Sequence, residues 1–293
     1  MINGVIILMS ALRITRINLY KHLTTVNFWT PFILATAAVF EFTASLKEMA
    51  AFYSVPVNGF SALFVMTSPN SVFIIFMGVF IMFCDLPFKD NQQMFLISRS
   101  GKMAWIFSHV FYVIFVSLIY FLFIFLCFCA ALFPHFALDA ESWGTIIRTV
   151  AATNAAQTFI LHFNVPQNVL SDFTPIEGFI YTFGTVLALS ILIGLVVMAL
   201  NLILKRNIGV IFSGAVVFMY LVANVIQTDI IYYFSPLHWC SIKIADKNGT
   251  MTYPDMSWII IVMSVWFILE LTALFIYGSK KIRFALDTRE DIR

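Results

Sequence analysis

Long apolar runs alternate along this chain with shorter polar stretches. A helix needs about 20 apolar residues to cross a hydrocarbon core ~30 Å thick. Hydrophobicity is continuous within each run and does not alternate, which favours helices over the strands of a barrel. The pattern predicts an all-α polytopic membrane protein, with six spans in one domain covering residues 1–293. The runs are Phe28 to Leu46, Ser71 to Cys84 (the weakest prediction), Met103 to Phe133, Ile176 to Leu204, Ile208 to about Gln227, and Met256 to Gly278.

Lysine and arginine are concentrated in one of the two alternating sets of connecting segments. Thirteen lie on one side of the predicted spans and four on the other. Because these cations favour the cytoplasmic side, both termini, including the tail 279–293, are expected in the cytoplasm beneath the cell membrane. The first set is Arg13, Arg16, Lys21, Lys89, Arg99, Lys102, Lys205, Arg206, Lys280, Lys281, Arg283, Arg289 and Arg293, and the second is Lys47, Arg148, Lys243 and Lys247.

Composition supports the membrane assignment and excludes several functional classes. The chain is 61% hydrophobic and 11% charged, whereas roughly 25% of residues are charged in soluble domains. The net charge of +2 gives no sign of nucleic-acid binding, because topology distributes the cations. The four cysteines have neither metal nor redox spacing, so no metal site is expected; they are Cys84, Cys127, Cys129 and Cys240.

Residues 1–27 have the pattern of an amphipathic helix. Such a helix would lie in the inner headgroup layer, although a frayed basic tail is the alternative. The following Thr30-Pro31 is predicted to begin the first span, since proline is tolerated in a first helical turn. The apolar stripe consists of Ile2, Val5, Leu8, Met9, Leu12, Leu19, Tyr20 and Leu23.

Two segments on the predicted outer side are long enough to have structure of their own. Residues 134–175 contain apolar residues at helical spacing after a candidate N-cap, Ser142. This helix would either pack over the span ends or serve as a substrate-binding lid. Residues 228–255 are too apolar for a free loop and too short to cross, which predicts a re-entrant hairpin. The helical pattern comprises Trp143, Ile146, Ile147, Val150 and Ala151.

On the predicted cytoplasmic side, residues 85–102 join the second and third runs. Gln92 to Ile97 are expected to form a short helix between a turn at Pro87 and a stop at Gly101. A charged connection with a small apolar helix resembles a docking surface, although an ordinary inner loop accounts for the charges equally well.

Taken together, these features resemble the permease subunits of type-2 ABC exporters across essentially the whole chain. The resemblance is carried by the interfacial helix, the six spans, and Asp85-Leu86-Pro87-Phe88 followed by Arg99-Ser100-Gly101-Lys102-Met103-Ala104-Trp105. Phe234-Ser235-Pro236-Leu237-His238-Trp239 is its last element. It implies that residues 85–102 hold a coupling helix that contacts a separate ATPase, and that the segment before the last span re-enters the outer leaflet. The implied coupling residues are Asp85, Pro87, Phe88, Phe95, Leu96, Arg99, Gly101 and Lys102.

The chain has no nucleotide-binding motif of its own. Gly278-Ser279-Lys280-Lys281 lacks the first glycine and the helical context of a phosphate-binding loop. We therefore expect this chain to bind no cofactor and to catalyse no reaction, with ATP and Mg²⁺ bound by a partner ATPase. The other expected partners are a second permease subunit and membrane lipids. The 33 phenylalanines suit amphipathic peptides or lipid-like compounds as cargo, but lipid-facing Phe explains their number equally well.

Ionisable residues within the runs favour a rival class, a proton-coupled secondary transporter. Glu41, His109, Asp229 and Glu270 are the candidates, because such groups are costly in lipid. Their staggered depths exclude a tight carboxylate pair, but His109 and Glu270 are expected at one level, where they could meet. An intramembrane hydrolase is disfavoured, because the chain lacks paired glutamates, a histidine pair at ligand spacing and a Gly-x-Ser-x-Gly turn.

Overall fold

The computed structural model describes residues 2–88, 91–204, 208–226, 228–243 and 254–278, which form an almost entirely helical bundle. Strands β1 (Val57–Asn58) and β2 (Phe136–Ala137) form one short parallel pair. The helices are α1 (Ile2–Leu23), α2 (Val26–Tyr53), α3 (Ala62–Met66), α4 (Pro69–Phe83), α5 (Asn91–Ser100), α6 (Lys102–Leu132), α7 (Gly144–Ala152), α8 (Ala155–Thr158), α9 (Gln167–Asp172), α10 (Pro175–Ile203), α11 (Ile208–Ile226), α12 (Asp229–Phe234) and α13 (Met256–Ala273), with 3₁₀ turns at Gly59–Ser61 and Pro236–Cys240 and a π turn at Leu274–Gly278. The predicted tail 279–293 lies outside the described residues.

Five helices in the described part are long and apolar enough to cross a membrane, namely α2, α6, α10, α11 and α13 with its π turn. The weakest predicted run is different. Helix α4 has 15 residues and follows the segment Gly59–Met66 at a bend of 83°. Pro69 lies in the first turn of α4, where its missing N–H costs no hydrogen bond but prevents continuation of the preceding helix. The chain is thus an all-α polytopic protein, with a broken element where an unbroken second span was expected.

Helix α10 is the centre of the bundle and packs against α4, α6, α11 and α13. Its most apolar window is 67% buried, compared with 28% in α11 and 22% in α13. The outer faces of α11 and α13 are therefore apolar and uncovered within the described chain. Helix α2 packs against α4 and α6, and α1 lies along the first half of α6.

Helix α2 begins earlier than predicted. It starts at Val26, so Pro31 is a buried residue in its second turn, and the expected start at Thr30-Pro31 is wrong. Helix α2 can begin this early because α1 ends just upstream, at Leu23. The hydroxyls of Thr24 and Thr25 donate to the carbonyls of Lys21 and His22, both at 2.7 Å, which closes the end of α1.

The amphipathic helix predicted in residues 134–175 is α7. Ile146, Ile147 and Val150 are buried, and the Trp143 indole N–H donates to the Phe173 carbonyl at 2.9 Å. The chain itself therefore covers this face, which favours the packed helix over the lid. Ser142 is not the N-cap. Trp143 occupies that position, while Ser142 Oγ accepts from the Gly144 N–H at 3.3 Å.

The bundle has two ends. The N-terminal face holds α1, α5 and the start of α6, and the opposite face holds α7, α8, α9 and residues 236–243. In the predicted re-entrant segment 228–255, α12 is followed by a buried 3₁₀ turn at Pro236–Cys240. Residues 244–253 of that segment lie outside the described residues.

Candidate functional site

A helix covers the predicted stretch Gln92 to Ile97 and extends to Ser100. Gly101 ends it with φ of +84°, a conformation that residues with a Cβ rarely adopt. The Gly101 N–H donates to the Ile97 carbonyl at 2.9 Å, and α6 begins at the next residue. A single glycine thus sets the angle between α5 and α6.

Gln93 joins three helices on the N-terminal face. Its Nε2 donates to Asn18 Oδ1 of α1 at 2.9 Å, and its Oε1 accepts from the Trp105 indole of α6 at 2.6 Å. Gln93, Asn18 and Trp105 are all nearly inaccessible to solvent. Buried amides bonded at both ends fix their neighbours strongly, since a displaced partner leaves an unsatisfied polar group.

Phe88 lies in an aromatic cluster between α1 and α6. Its ring centroid is 5.3 Å from that of His22, 5.1 Å from that of Tyr112 and 5.6 Å from that of His109. His22 Nδ1 also hydrogen-bonds to the Tyr112 hydroxyl. Burial lowers the pKa of His22, with the negative charge of Asp85 acting in the opposite direction. The cluster is therefore held by a neutral imidazole near pH 7.

The start of the 85–102 segment is fixed by two amide side chains. Asn27 Nδ2 donates to Asp85 Oδ2 at 2.8 Å, and Asn201 Nδ2 donates to the Leu86 carbonyl at 2.8 Å. Asn201 Oδ1 accepts from the Gly209 N–H at 2.9 Å, so one buried amide connects the segment with both α10 and α11. Pro87 is buried beside these contacts.

The predicted docking residues differ in exposure. Phe95 is 76% exposed and Arg99 and Asp85 are exposed, as a contact surface requires. Leu96 and Lys102 are only partly exposed. The exposed apolar surface of α5 therefore centres on Phe95, with Leu96 at its edge.

The four intramembrane candidates do not form one site. Glu41 is exposed on α2, and Asp229 begins α12. His109 Nδ1 bonds to the Trp105 carbonyl of its own helix at 2.9 Å, and its buried Nε2 has no partner. Glu270 is buried in α13, where Trp266 is its nearby donor, but neither carboxyl oxygen makes a hydrogen bond of ordinary geometry. The expected His109–Glu270 contact is therefore not formed.

Sequence reasoning missed most of the residues that position α5. The polar side of α1 carries Thr15, Asn18 and His22 at i, i+3 and i+7, and all three are buried, together with Ala11 and Ile14. Several residues of the apolar stripe are exposed instead, including Leu8 and Leu12. A polar face opposite an apolar stripe was the available signal that α1 packs on the bundle through its polar side.

In the part of the chain that the structure describes, no three His, Cys, Asp or Glu side chains are grouped so as to hold a metal ion. Comparison of the chain with protein-family models, with curated proteins and with solved structures finds no match.

Proposed function

We propose that this chain is the membrane-spanning subunit of a type-2 ABC exporter, driven by a separate ATPase that binds ATP and Mg²⁺. The carrying observation is α5, whose Phe95 side chain is exposed on the N-terminal face while Gln93 ties the helix to α1 and α6. Such a helix can bind a partner through Phe95 and transmit force to the bundle through Gln93.

The proposed mechanism follows the contacts of residues 85–102. Closure of the ATPase would push on Phe95, and the Gln93–Trp105 hydrogen bond would pass the displacement to α6. The Asn201–Leu86 bond would pass it to α10, the central helix. Both α6 and α10 would tilt and open a path for amphipathic peptides or lipid-like compounds. Packed elements with two discrete arrangements carry such coupling.

The proposal includes the topology and the assembly. The bent pair of α3 and α4 would count as the second of six spans, and residues 228–255 would re-enter the outer leaflet. The excess of Lys and Arg supports a cytoplasmic N-terminal face in a cell-membrane protein. A second permease subunit and lipids would cover the uncovered apolar faces of α11 and α13.

Copurification tests the proposal. The Phe95→Asp/Leu96→Asp double variant should insert normally but lose an ATP-hydrolysing subunit that copurifies with the wild type from the native host, because apolar anchors dominate interface energy. Leu138→Asp, at a site 58% exposed on the opposite face, is the matched control and should retain the subunit. Retention by the inserted double variant, or the absence of any such subunit from the wild-type preparation, would refute the proposal.

One observation favours a second candidate, the proton-coupled secondary transporter. Glu270 is a buried carboxyl in an apolar helix, and its oxygens make no hydrogen bond of ordinary geometry, as expected for a group that exchanges a proton with a pathway. Flux in vesicles that is driven by a proton gradient without ATP would favour this class. Flux that requires ATP and the ATPase would favour the exporter.

A further inference from the structure

A cavity of about 880 Å³ lies on the opposite face of the bundle, far from α5. Three parts of the chain line it. The end of α7 and the segment up to Asn164 form most of the wall, Pro69 at the start of α4 contributes on one side, and Lys243 contributes on another. Nothing in the proposed coupling mechanism uses this cavity.

Lys243 is the charged residue of the cavity wall. It is largely buried, it makes no hydrogen bond or ion pair within the described residues, and none of the described lining residues is an Asp or Glu. Burial lowers the pKa of Lys243 to about 8, so the amine is still mainly protonated at pH 7. A cation withdrawn from water without a counter-charge is costly, and a bound anion would offset that cost.

The position of Lys243 is fixed by its neighbours. Ile242 is buried, and its Cδ1 lies 3.0 Å from where a Cβ would stand on Gly178, in the first turn of α10. Because Ile242 packs on the first turn of α10, a candidate span that begins at Pro175, we expect Lys243 near the end of that span. This is the depth at which lipid headgroups lie.

The remainder of the wall has two kinds of side chain. Asn154, Gln157 and Asn164 bring amide donors, while Leu161 and Phe163 are apolar. Amide N–H groups and an ammonium suit the oxygens of a phosphate, whereas the apolar wall suits hydrocarbon attached to it. An inorganic ion would contact only the polar groups of the wall, and a fully apolar molecule would contact only its apolar side chains.

We propose that this cavity is a binding site for the phosphate group of an anionic phospholipid, with Lys243 as its counter-charge. The amides of Asn154, Gln157 and Asn164 orient the phosphate oxygens, and Leu161 and Phe163 contact the proximal acyl chain. The inference does not depend on the proposed export function, because lipid binding at this site would serve any polytopic protein.

The test compares lipids on the purified full-length protein. Phosphatidylglycerol should raise the melting temperature in detergent and should be retained in native mass spectra, whereas phosphatidylcholine should do neither to the same degree. Lys243→Gln should weaken phosphatidylglycerol retention about tenfold, the size expected when a charge-assisted hydrogen bond is lost. Lys243→Arg should keep it. Lys47→Gln, which removes an exposed cation from the outer part of α2, is the matched control and should change nothing.

Three outcomes would overturn the inference. Equal retention of both lipids by the wild type would remove the need for an anion site, and unchanged retention in Lys243→Gln would place the lipid elsewhere. Stabilisation by inorganic phosphate alone, without preference for phosphatidylglycerol, would show a free-phosphate site and not a lipid site. If Lys243→Gln does not fold, Gln157→Leu, at an exposed lining position, must weaken retention for the inference to stand.

Discussion

The amide of Gln93 is hydrogen-bonded to the amide of Asn18, 75 residues earlier in the chain, at 2.9 Å in a buried position. This bond makes the N-terminal helix part of the platform that holds α5. Without it, α5 would be connected to the bundle mainly through α6, from which Gly101 separates it. Gln93 thus connects α5 with α1 as well as with α6, in addition to the route to α10 through the Asn201–Leu86 bond.

Gln93→Leu should remove the hydrogen bonds from α5 to α1 and α6 while leaving the exposed Phe95 in place. The substitution leaves the Trp105 indole without its acceptor and Asn18 without its donor, at a cost of about 1–3 kcal/mol for each unsatisfied group. We expect a lower melting temperature in detergent and weaker stimulation of the partner ATPase by substrate, with Phe95 still able to bind. Gln167→Leu makes the same change at an exposed position and should be silent. Equal melting temperatures for the two variants would show that the bridge does not stabilise the fold.

Gly209 is required where α11 meets α10. A Cβ at this position would lie 2.5 Å from the Val197 carbonyl oxygen and 2.8 Å from Asn201 Oδ1. Gly209→Ala should therefore push the helices apart and displace the Asn201 bond to Leu86, at a cost of about 1–3 kcal/mol from overpacking. Gly184→Ala is the control, because nothing lies within 4 Å of its added Cβ. Thermal unfolding in detergent that does not distinguish the two variants would contradict this packing.

We expect His238 to make the stability of the opposite face sensitive to acid. Its Nδ1 bonds to Ser235 Oγ at 2.7 Å, its Nε2 bonds to Asn224 Oδ1 at 3.3 Å, and burial lowers its pKa to about 4. The unfolded state has a pKa of about 6.5, so it binds more protons between these values. Stability from this group should be complete above pH 6.5 and should fall as the pH drops towards 4.

The measurement is the melting temperature as a function of pH. His238→Gln should flatten the acid side of the profile relative to the wild type, because the titrating group is gone. His162→Gln, at an exposed histidine on the same face, should leave the profile unchanged. A wild-type slope in His238→Gln would assign the acid sensitivity to other groups.

Much of the fold could be predicted because continuous hydrophobicity is the strongest signal that a chain carries. It located α6, α10 and α13. The short helix α5 was predicted because Pro87 and Gly101 bound its stretch of the chain. The 83° bend before α4 was not predicted. The apolar segment 59–66 and the run after Pro69 are each too short to be recognised as a separate span from their length alone. The contact of Asn201 with Leu86 spans 115 residues, and no local pattern encodes such a distance.

Accessibility of introduced cysteines tests the orientation. In a chain whose four native cysteines are replaced by alanine, Ser98→Cys on the N-terminal face should resist an impermeant thiol reagent added to intact cells. Leu138→Cys on the opposite face should react. Both positions are exposed, so differences in local burial do not account for the expected contrast. Labelling of Ser98→Cys in intact cells would reverse the proposed topology and would remove α5 from contact with a cytoplasmic ATPase.

Glu270→Gln separates the two candidate functions. Because the isosteric amide keeps an acceptor oxygen for the nearby Trp266, and neither carboxyl oxygen makes another hydrogen bond, the substitution should leave the melting temperature nearly unchanged. If the chain is an ATP-driven permease, export should continue in this variant, since no step requires a proton on α13. If it is a proton-coupled transporter, flux should stop while folding is preserved. Ser264→Ala, at an exposed position on the same helix, controls for local effects. Loss of transport in a well-folded Glu270→Gln variant would therefore overturn the exporter proposal.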